Sequence, residues 1–442
     1  MDDLTRCQVF VRPRAFIWQN GIQEGSGECD AGVKDTPVEC DRRGHNRPVK
    51  EHHMPEAVIV DAVRTPIGRA FKGSLVGVRA DELAATPLRA LIERNPGVDF
   101  AQTNDVMMGA ASSVGEQAYN IGRNASLIAG IDHHVPACTV NRFCASSLQT
   151  LRMAFHAIKA GEGDQYVAAG VEAVSRAGLG AGIPDEAKHP QLDGSEGSAY
   201  DVYIPMGLTA EKVAARCKVS REAQDEWALV SQTRAVAAQE SGHFDKEIVA
   251  VALPDGAGEL TKDDGPRPNT TMEKLAALNP VFDPENGTVT AGNACPLNDG
   301  AAAVLVMSSE KAQSLGLQPR ARIIASTVAA IRPELMGLGP IPAIQALLAQ
   351  TGMSIDDIDI VEINEAFAAQ IVPCREELGI DEEKLNPFGG AIALGHPFGM
   401  TGARIMTTLL NGLDATDGRY GIESMCVAGG MGQAMLVERL SS

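Results

Sequence analysis

Three observations predict an α/β protein made of two similar halves stacked in layers with an inserted loop subdomain. Short apolar runs alternate with helical patterns from Met54 onward, the same order of elements returns near the C-terminus, and a loop-rich segment separates the two. In the first half, strands are predicted over 57–62, 105–109, 137–141 and 165–170, with helices over 81–94, 118–129 and 145–160. In the last of these helices Leu148, Leu151, Phe155 and Ile158 recur at three- and four-residue spacing until Gly161 stops it. The second half repeats the scheme: strand 321–328, helix 342–350, strand 358–363, helix 365–378, a Gly-rich turn, helix 402–411, then strands 422–427 and 433–438. Leu88-Arg-Ala-Leu-Ile-Glu93 and Ile344-Gln-Ala-Leu-Leu-Ala349 hold matching places ahead of Asp-containing strands, which suggests duplication. Between the halves, Gly-, Pro- and Asp-rich loops such as Gln191-Leu-Asp-Gly-Ser-Glu-Gly197 surround helices predicted over 208–217 and 220–241, the composition of a lid or substrate-binding subdomain. The predicted division is an N-terminal extension over 1–53, read as disordered, a first half over 54–174 with 296–318, the loop subdomain over 175–295, and a second half over 319–442.

The chain of 442 residues is too long for one compact core, and its 44% hydrophobic content is that of an ordinary globular protein. A net charge of −19 argues against a general role on nucleic acid or anionic membrane, whose surfaces repel an acidic protein. Nine scattered cysteines with no C-x-x-C pair read as reduced thiols in a cytoplasmic setting rather than a disulfide frame or zinc site, so no metal is expected. No run approaches eighteen apolar residues, so no membrane span is predicted. Residues 1–53 mix both charge signs and open Met1-Asp2-Asp3, unlike an Arg-rich, acid-poor presequence. The pattern turns strand-like at Glu56-Ala-Val-Ile-Val-Asp-Ala62, where the folded protein is expected to begin.

Four residues stand out for chemistry. Cys144 closes Val140-Asn-Arg-Phe-Cys144 directly ahead of a predicted helix, whose unpaired N–H groups and dipole would favour a thiolate. His396 sits among five glycines in the nineteen residues Asn386 to Arg404, a backbone that lets a ligand approach closely, and as a neutral imidazole it could accept the Cys144 proton. Cys426 leads into the Gly-rich turn Val427-Ala-Gly-Gly-Met-Gly432 and could carry a proton as acid and base. Asn364 follows a predicted strand at the end where open α/β sheets place ligands, and it also suits a helix cap.

Val140-Asn-Arg-Phe-Cys-Ala-Ser-Ser-Leu-Gln149, Asn364-Glu-Ala-Phe-Ala368, Asn386 to Arg404 and Cys426 to Gly432 together resemble the thiolase family, in its order and spacing, from about Ala57 to the end. The resemblance implies the thiolase fold and an acyltransferase that cleaves 3-ketoacyl-CoA with CoA, as in fatty-acid β-oxidation, with CoA as substrate and no cofactor. It implies that Cys144 carries the acyl thioester, that Cys426 donates and accepts the proton, and that His396 activates Cys144. With a water held by Asn364, His396 would also line an oxyanion hole. It further implies substrate contacts at Met206, Ala291, Cys295, Met336, Ala366 and Phe367, and a homodimer or homotetramer, with a β-oxidation multienzyme complex as a further partner.

Three positions depart from the family's pattern. Cys295 stands where serine is frequent, Pro205 precedes Met206 where biosynthetic members carry histidine, and Ala428 replaces a usual glycine. Whether Ala428 lends an oxyanion N–H stays open, since a positive φ there would strain alanine. Pro205 and the stretch Asn364 to Cys374 favour a degradative enzyme over a biosynthetic acetoacetyl-CoA thiolase that condenses two acetyl-CoA. A ketoacyl synthase would need a second histidine near Asn364, absent here, and a non-catalytic acyl-CoA or sterol binder would have lost one of the four side chains.

Overall fold

The computed structural model describes residues 55–177 and 184–440, together with two short strands, Val38–Cys40 and Asn46–Pro48, that pair antiparallel. These strands belong to a separate unit over Val9–Met54, and the disorder expected for 1–53 lies otherwise outside the described residues.

The first half follows the predicted order: β1 (Ala57–Arg64), α1 (Ala80–Arg94), β2 (Asp105–Gly109), α2 (Ile121–Ile128), β3 (Ala137–Val140), α3 (Ser146–Ala160) and β4 (Gln165–Ala173). The segment 175–295 contains α4 (Met206–Cys217) and α5 (Arg221–Glu240). A strand that periodicity does not reveal comes next, β5 (Asn298–Ser308). All eleven of its residues are buried, so its Ala- and Val-rich run shows no alternation to distinguish it. It begins three residues after Cys295, one of the substrate contacts that the resemblance implies. The second half supplies β6 (Ala321–Ala330), α6 (Pro340–Thr351), β7 (Ile360–Ile363), α7 (Ala368–Leu378), α8 (Thr401–Thr416), β8 (Tyr420–Val427) and β9 (Met431–Arg439).

These strands, with a two-residue strand Gly68–Arg69 attached to β5, form one sheet in the order β7-β8-β9-β6-β1-β5-β4-β2-β3. The pairing repeats. From β1 outward, β5 and β4 pair antiparallel, then β2 and β3 parallel. From β6 outward, β9 and β8 pair antiparallel, then β7 parallel, and a parallel bridge from Val361 to Leu385 stands where a fifth strand would be. The halves join through two residue pairs, Ala321 with Ile59 and Arg322 with Val58.

Layering follows from which faces are apolar. Val58, Val60, Val63, Ala303 and Leu305 pack in one core cluster with α1 and α2. Ile59, Val304, Met425 and Met435 pack in another with α3 and α8, so these two helices form a central layer between faces of both halves. Gly402 makes that layer possible, because a Cβ there would lie 2.2 Å from the Leu148 backbone nitrogen. Against the second half's other face packs α6. Among the described residues no helix is long and apolar enough to cross a membrane.

Two expectations are corrected. The predicted helix 365–378 starts only at Ala368, capped by Phe367 without a side-chain bond, so Asn364 is not its cap. The all-thiol reading fails at Cys217, which is disulfide-bonded, whereas Cys138, Cys144, Cys295, Cys374 and Cys426 are free.

Candidate active site

The site gathers where strands end and the two central helices begin. Because β7 and β8 run parallel, their C-terminal ends lie side by side: Asn364 follows β7 and donates its N–H to the Ser424 carbonyl at 3.0 Å, and Cys426 is the next-to-last residue of β8. Cys144 stands between β3 and α3, and His396 precedes α8. The starts of those helices are tied together by the Ala403 N–H donating to Ser147 Oγ at 2.9 Å.

Cys144 occupies a clamped turn. Phe143 before it has φ 47°, a left-handed conformation that costs a non-glycine residue energy and persists only where neighbours hold it. Asn141 Oδ1 accepts the Phe143 N–H at 2.8 Å, and the Ser146 hydroxyl donates to the Phe143 carbonyl at 2.6 Å. Cys144 is half-buried, and the Ala428 N–H acts on its sulfur in favour of the thiolate. Ala428 is not among the positive-φ residues, since Gly429 and Gly430 take those conformations, so alanine is unstrained here.

The resting thiol differs from the sequence expectation. Burial pushes Cys144 up to about 12, and the Glu172 carboxylate adds to the rise, while the Ala428 N–H opposes it. A thiol in this state needs a base.

His396 is the imidazole at this site, and its neighbours fix which ring nitrogen is free. Its Nδ1 lies 2.7 Å from Thr401 Oγ1, and that hydroxyl in turn donates to the Pro397 carbonyl at 2.8 Å. With the one hydroxyl proton committed, Nδ1 must carry the hydrogen, and Nε2 presents its lone pair. Asn364 Nδ2 lies 3.4 Å from that Nε2. Burial, with the buried Arg404 guanidinium adding to it, lowers the imidazole pKa to about 3, so the ring is neutral. Its main chain is fixed by Asn298 Oδ1, which accepts the His396 N–H at 3.0 Å, and by Gly395 at φ 115°, where a Cβ would lie 2.6 Å from the Asn298 side chain.

Cys426 is buried, and burial raises its thiol well above the ordinary value, with Cys144, Cys374 and Cys295 reinforcing the shift. Of the residues expected to contact substrate, Cys295, Ala366 and Phe367 meet directly: the Cys295 N–H donates to the Ala366 carbonyl at 3.0 Å, and Ala294 bridges Phe367. Phe282 links this group to the start of α4, packing edge-on to Phe367 at 6.3 Å and against Gly207 beside Met206. Met336 is buried in the 3-10 turn Pro333–Leu338 against α4, and Ala291 is exposed on the loop leading to Cys295.

Motif reading passed over three supporting residues. Glu365 is fully buried and accepts from Trp227 Nε1 (3.1 Å), Ser231 Oγ (2.6 Å), Asn386 Nδ2 (2.9 Å) and the Ile392 N–H (3.2 Å), fastening the Asn364 loop to α5. Glu172 accepts the Gly399 N–H at 2.9 Å and so ties the loop after His396 to β4. Gln370, four residues before Cys374 on α7, is the third. Only the i, i+4 spacing on a helix hints at it, and only the fold brings it to Cys426. Among the described residues, the side chains grouped closely enough to bind a metal are the exposed Asp132, His133 and His134, none of them at this site.

A nucleophile position, a neutral imidazole and a second thiol gathered at strand ends define an acyl-transferring enzyme. The chain belongs to the thiolase family: residues 57–310 match the thiolase N-terminal domain and 317–439 the thiolase C-terminal domain. It is 47% identical over 403 residues to a beta-ketoadipyl-CoA thiolase of Acinetobacter baylyi, covering 88% of this chain and all of that one. It is also 47% identical over 393 residues to a 3-ketoacyl-CoA thiolase of Erwinia tasmaniensis, again covering 88% and all of the relative. The crystal structure of the Bacillus anthracis acetyl-CoA acetyltransferase matches with a TM-score of 0.79 at 40% identity, covering 88% of this chain and 99% of that one.

Proposed function

We propose that the protein cleaves 3-ketoacyl-CoA with CoA to acetyl-CoA and an acyl-CoA two carbons shorter. The observation that carries this is the placing of Cys144, Cys426 and the Asn364–His396 pair around one group of strand ends. Cys144 passes its proton to His396 Nε2 and attacks the 3-keto carbonyl. The C2–C3 bond then breaks, the departing enolate takes the Cys426 proton, and the acyl group stays on Cys144 as a thioester. CoA thiol next gives its proton to the Cys426 thiolate and attacks that thioester. Acyl-CoA leaves and Cys144 recovers its proton from His396. Developing negative charge on oxygen meets donors close by, with Asn364 and, once it holds the Cys144 proton, His396 Nε2 on one side through a water and the Ala428 N–H near Cys144.

Among thiolase substrates, the degradative reading is supported by the Pro205 and Asn364 to Cys374 stretches and by relatives named for 3-ketoacyl-CoA and beta-ketoadipyl-CoA. Rates of CoA-dependent cleavage of acetoacetyl-CoA, a medium-chain 3-ketoacyl-CoA and 3-oxoadipyl-CoA test it. Medium-chain substrate is expected to give the highest kcat/KM, which places the enzyme in fatty-acid β-oxidation. Preference for the dicarboxylic substrate would align it with the beta-ketoadipyl-CoA relatives, and activity confined to acetoacetyl-CoA would favour the biosynthetic type. No cleavage of any of the three would overturn the reading in favour of a binding protein.

A homodimer is proposed on the free side of β3. That strand ends the sheet, is only half-buried, and has β2 as its one sheet neighbour among the described residues. Tyr119, next to Asn120 whose side chain bonds Ala137 and Thr139 of β3, and Phe143, three residues after β3, are 95% and 46% exposed. An uncovered edge beside aromatic surface is a site for pairing with a second copy. Light scattering on the eluting protein is expected to give twice the chain mass, and a monomer would refute the assignment.

A further inference from the structure

We infer that Gln370 is a positioning residue for Cys426, holding the thiol that carries the proton in the proposed reaction. The inference rests on that reading of Cys426. Gln370 is fully buried on α7, and its Oε1 is the acceptor for the Cys426 thiol, with Sγ at 3.9 Å. The same oxygen accepts the Ala366 N–H at 3.1 Å, which sets the orientation of the amide. Nε2 is buried and makes no hydrogen bond of ordinary geometry, although the amide also acts on the Cys374 thiol one turn along α7. Close approach is arranged on the other side as well: a Cβ on Gly337 would lie 2.7 Å from Gln370 Cβ. Burying an amide with one end unsatisfied costs stability, and a purely structural site would favour an apolar side chain of similar shape.

An S–H bond is a weak donor, so its partner decides where the proton points and how tightly it is kept. The groups acting electrostatically on Cys426 are Cys144 ahead of α3, Cys295 ahead of β5 and Cys374 on α7. All three are thiols. The acceptor that orients the Cys426 proton is therefore Gln370, which ties that proton to Ala366 on the loop after Asn364.

The test separates the proton step from the nucleophile. Deuterium uptake at C2 of acetyl-CoA in heavy water reports Cys426, and iodoacetamide alkylation followed by mass spectrometry reports Cys144. Gln370→Met is expected to slow uptake by about tenfold, a fraction of what a positioned acid or base contributes, with Cys144 alkylation unchanged within about twofold. Gln370→Glu restores an acceptor oxygen in the same place and is expected to recover uptake, with its basic limb moved to higher pH because a carboxylate disfavours the thiolate. Unchanged uptake in Gln370→Met, or uptake and alkylation falling together, would overturn the assignment. If Gln370→Met does not fold, Gln370→Glu decides alone, and an unmoved basic limb overturns it. An unsubstituted enzyme that cleaves 3-ketoacyl-CoA yet exchanges no C2 proton would sink the role of Cys426 and this inference with it. One that does neither would sink the functional reading itself.

Discussion

Cys144→Ser is expected to lower thiolysis by about 10⁴-fold or more, the scale on which nucleophile removal acts in covalent catalysis. A hydroxyl in the same turn would keep the same neighbours. It is a weaker acid and a poorer nucleophile than a thiol toward the same neutral imidazole, and its acyl ester would resist CoA attack more than a thioester does. Loss of acetoacetyl-CoA absorbance measures the rate, and intact mass after mixing with substrate reports the acyl adduct, expected on the native chain and absent from the variant. A variant retaining full activity would remove Cys144 from the mechanism.

The second large effect belongs to His396. His396→Asn is expected to reduce kcat/KM by about 10²- to 10⁴-fold, the range for a positioned base. The buried ring also makes a prediction about pH. Its pKa is lowered from 6.5 to about 3, so the unfolded chain binds a proton in that window that the folded ring refuses. Stability must then fall as pH drops from 6.5 toward 3, with a slope of up to about 1.4 kcal/mol per pH unit from this group. In His396→Asn that contribution disappears, and urea midpoints across pH 4 to 7 measure the difference. For the same reason the native enzyme should show no acid limb at the ordinary histidine pKa. An inflection in kcat/KM near 6.5 that vanishes in the variant would show that the ring is not held neutral.

Local pattern carried most of the architecture. The helix of Leu148, Leu151, Phe155 and Ile158 ends at Gly161 as expected, because one apolar face and one left-handed stop are properties of the segment itself. β5 escaped notice because burial on both faces erases the alternation that marks a strand. The start of α7 was misjudged for a different reason. Asn364-Glu-Ala-Phe367 has helix-like composition, but Glu365 turns inward to four donors on other segments, and Cys295 and Asn293 engage the backbone of Ala366 and Ala368. Those contacts hold the loop open until Ala368.

By itself the sequence determined the alternating elements, their duplication, and which motifs supply the candidate nucleophile and proton carrier. These depend on periodicity, glycine placement and residue type over short spans. Tertiary structure decided the protonation of that chemistry. Cys144 stands ahead of a helix, yet desolvation raises its pKa and leaves a thiol, while burial, with Arg404 adding to it, keeps the His396 ring neutral and Thr401 at Nδ1 leaves Nε2 as its acceptor. Tertiary structure also placed Gln370 beside Cys426 and Glu365 beneath the Asn364 loop. A pKa and a hydrogen bond depend on the dielectric and the partners around a group, and packing brings many of these from other segments, as it brings Trp227 and Ser231 to Glu365.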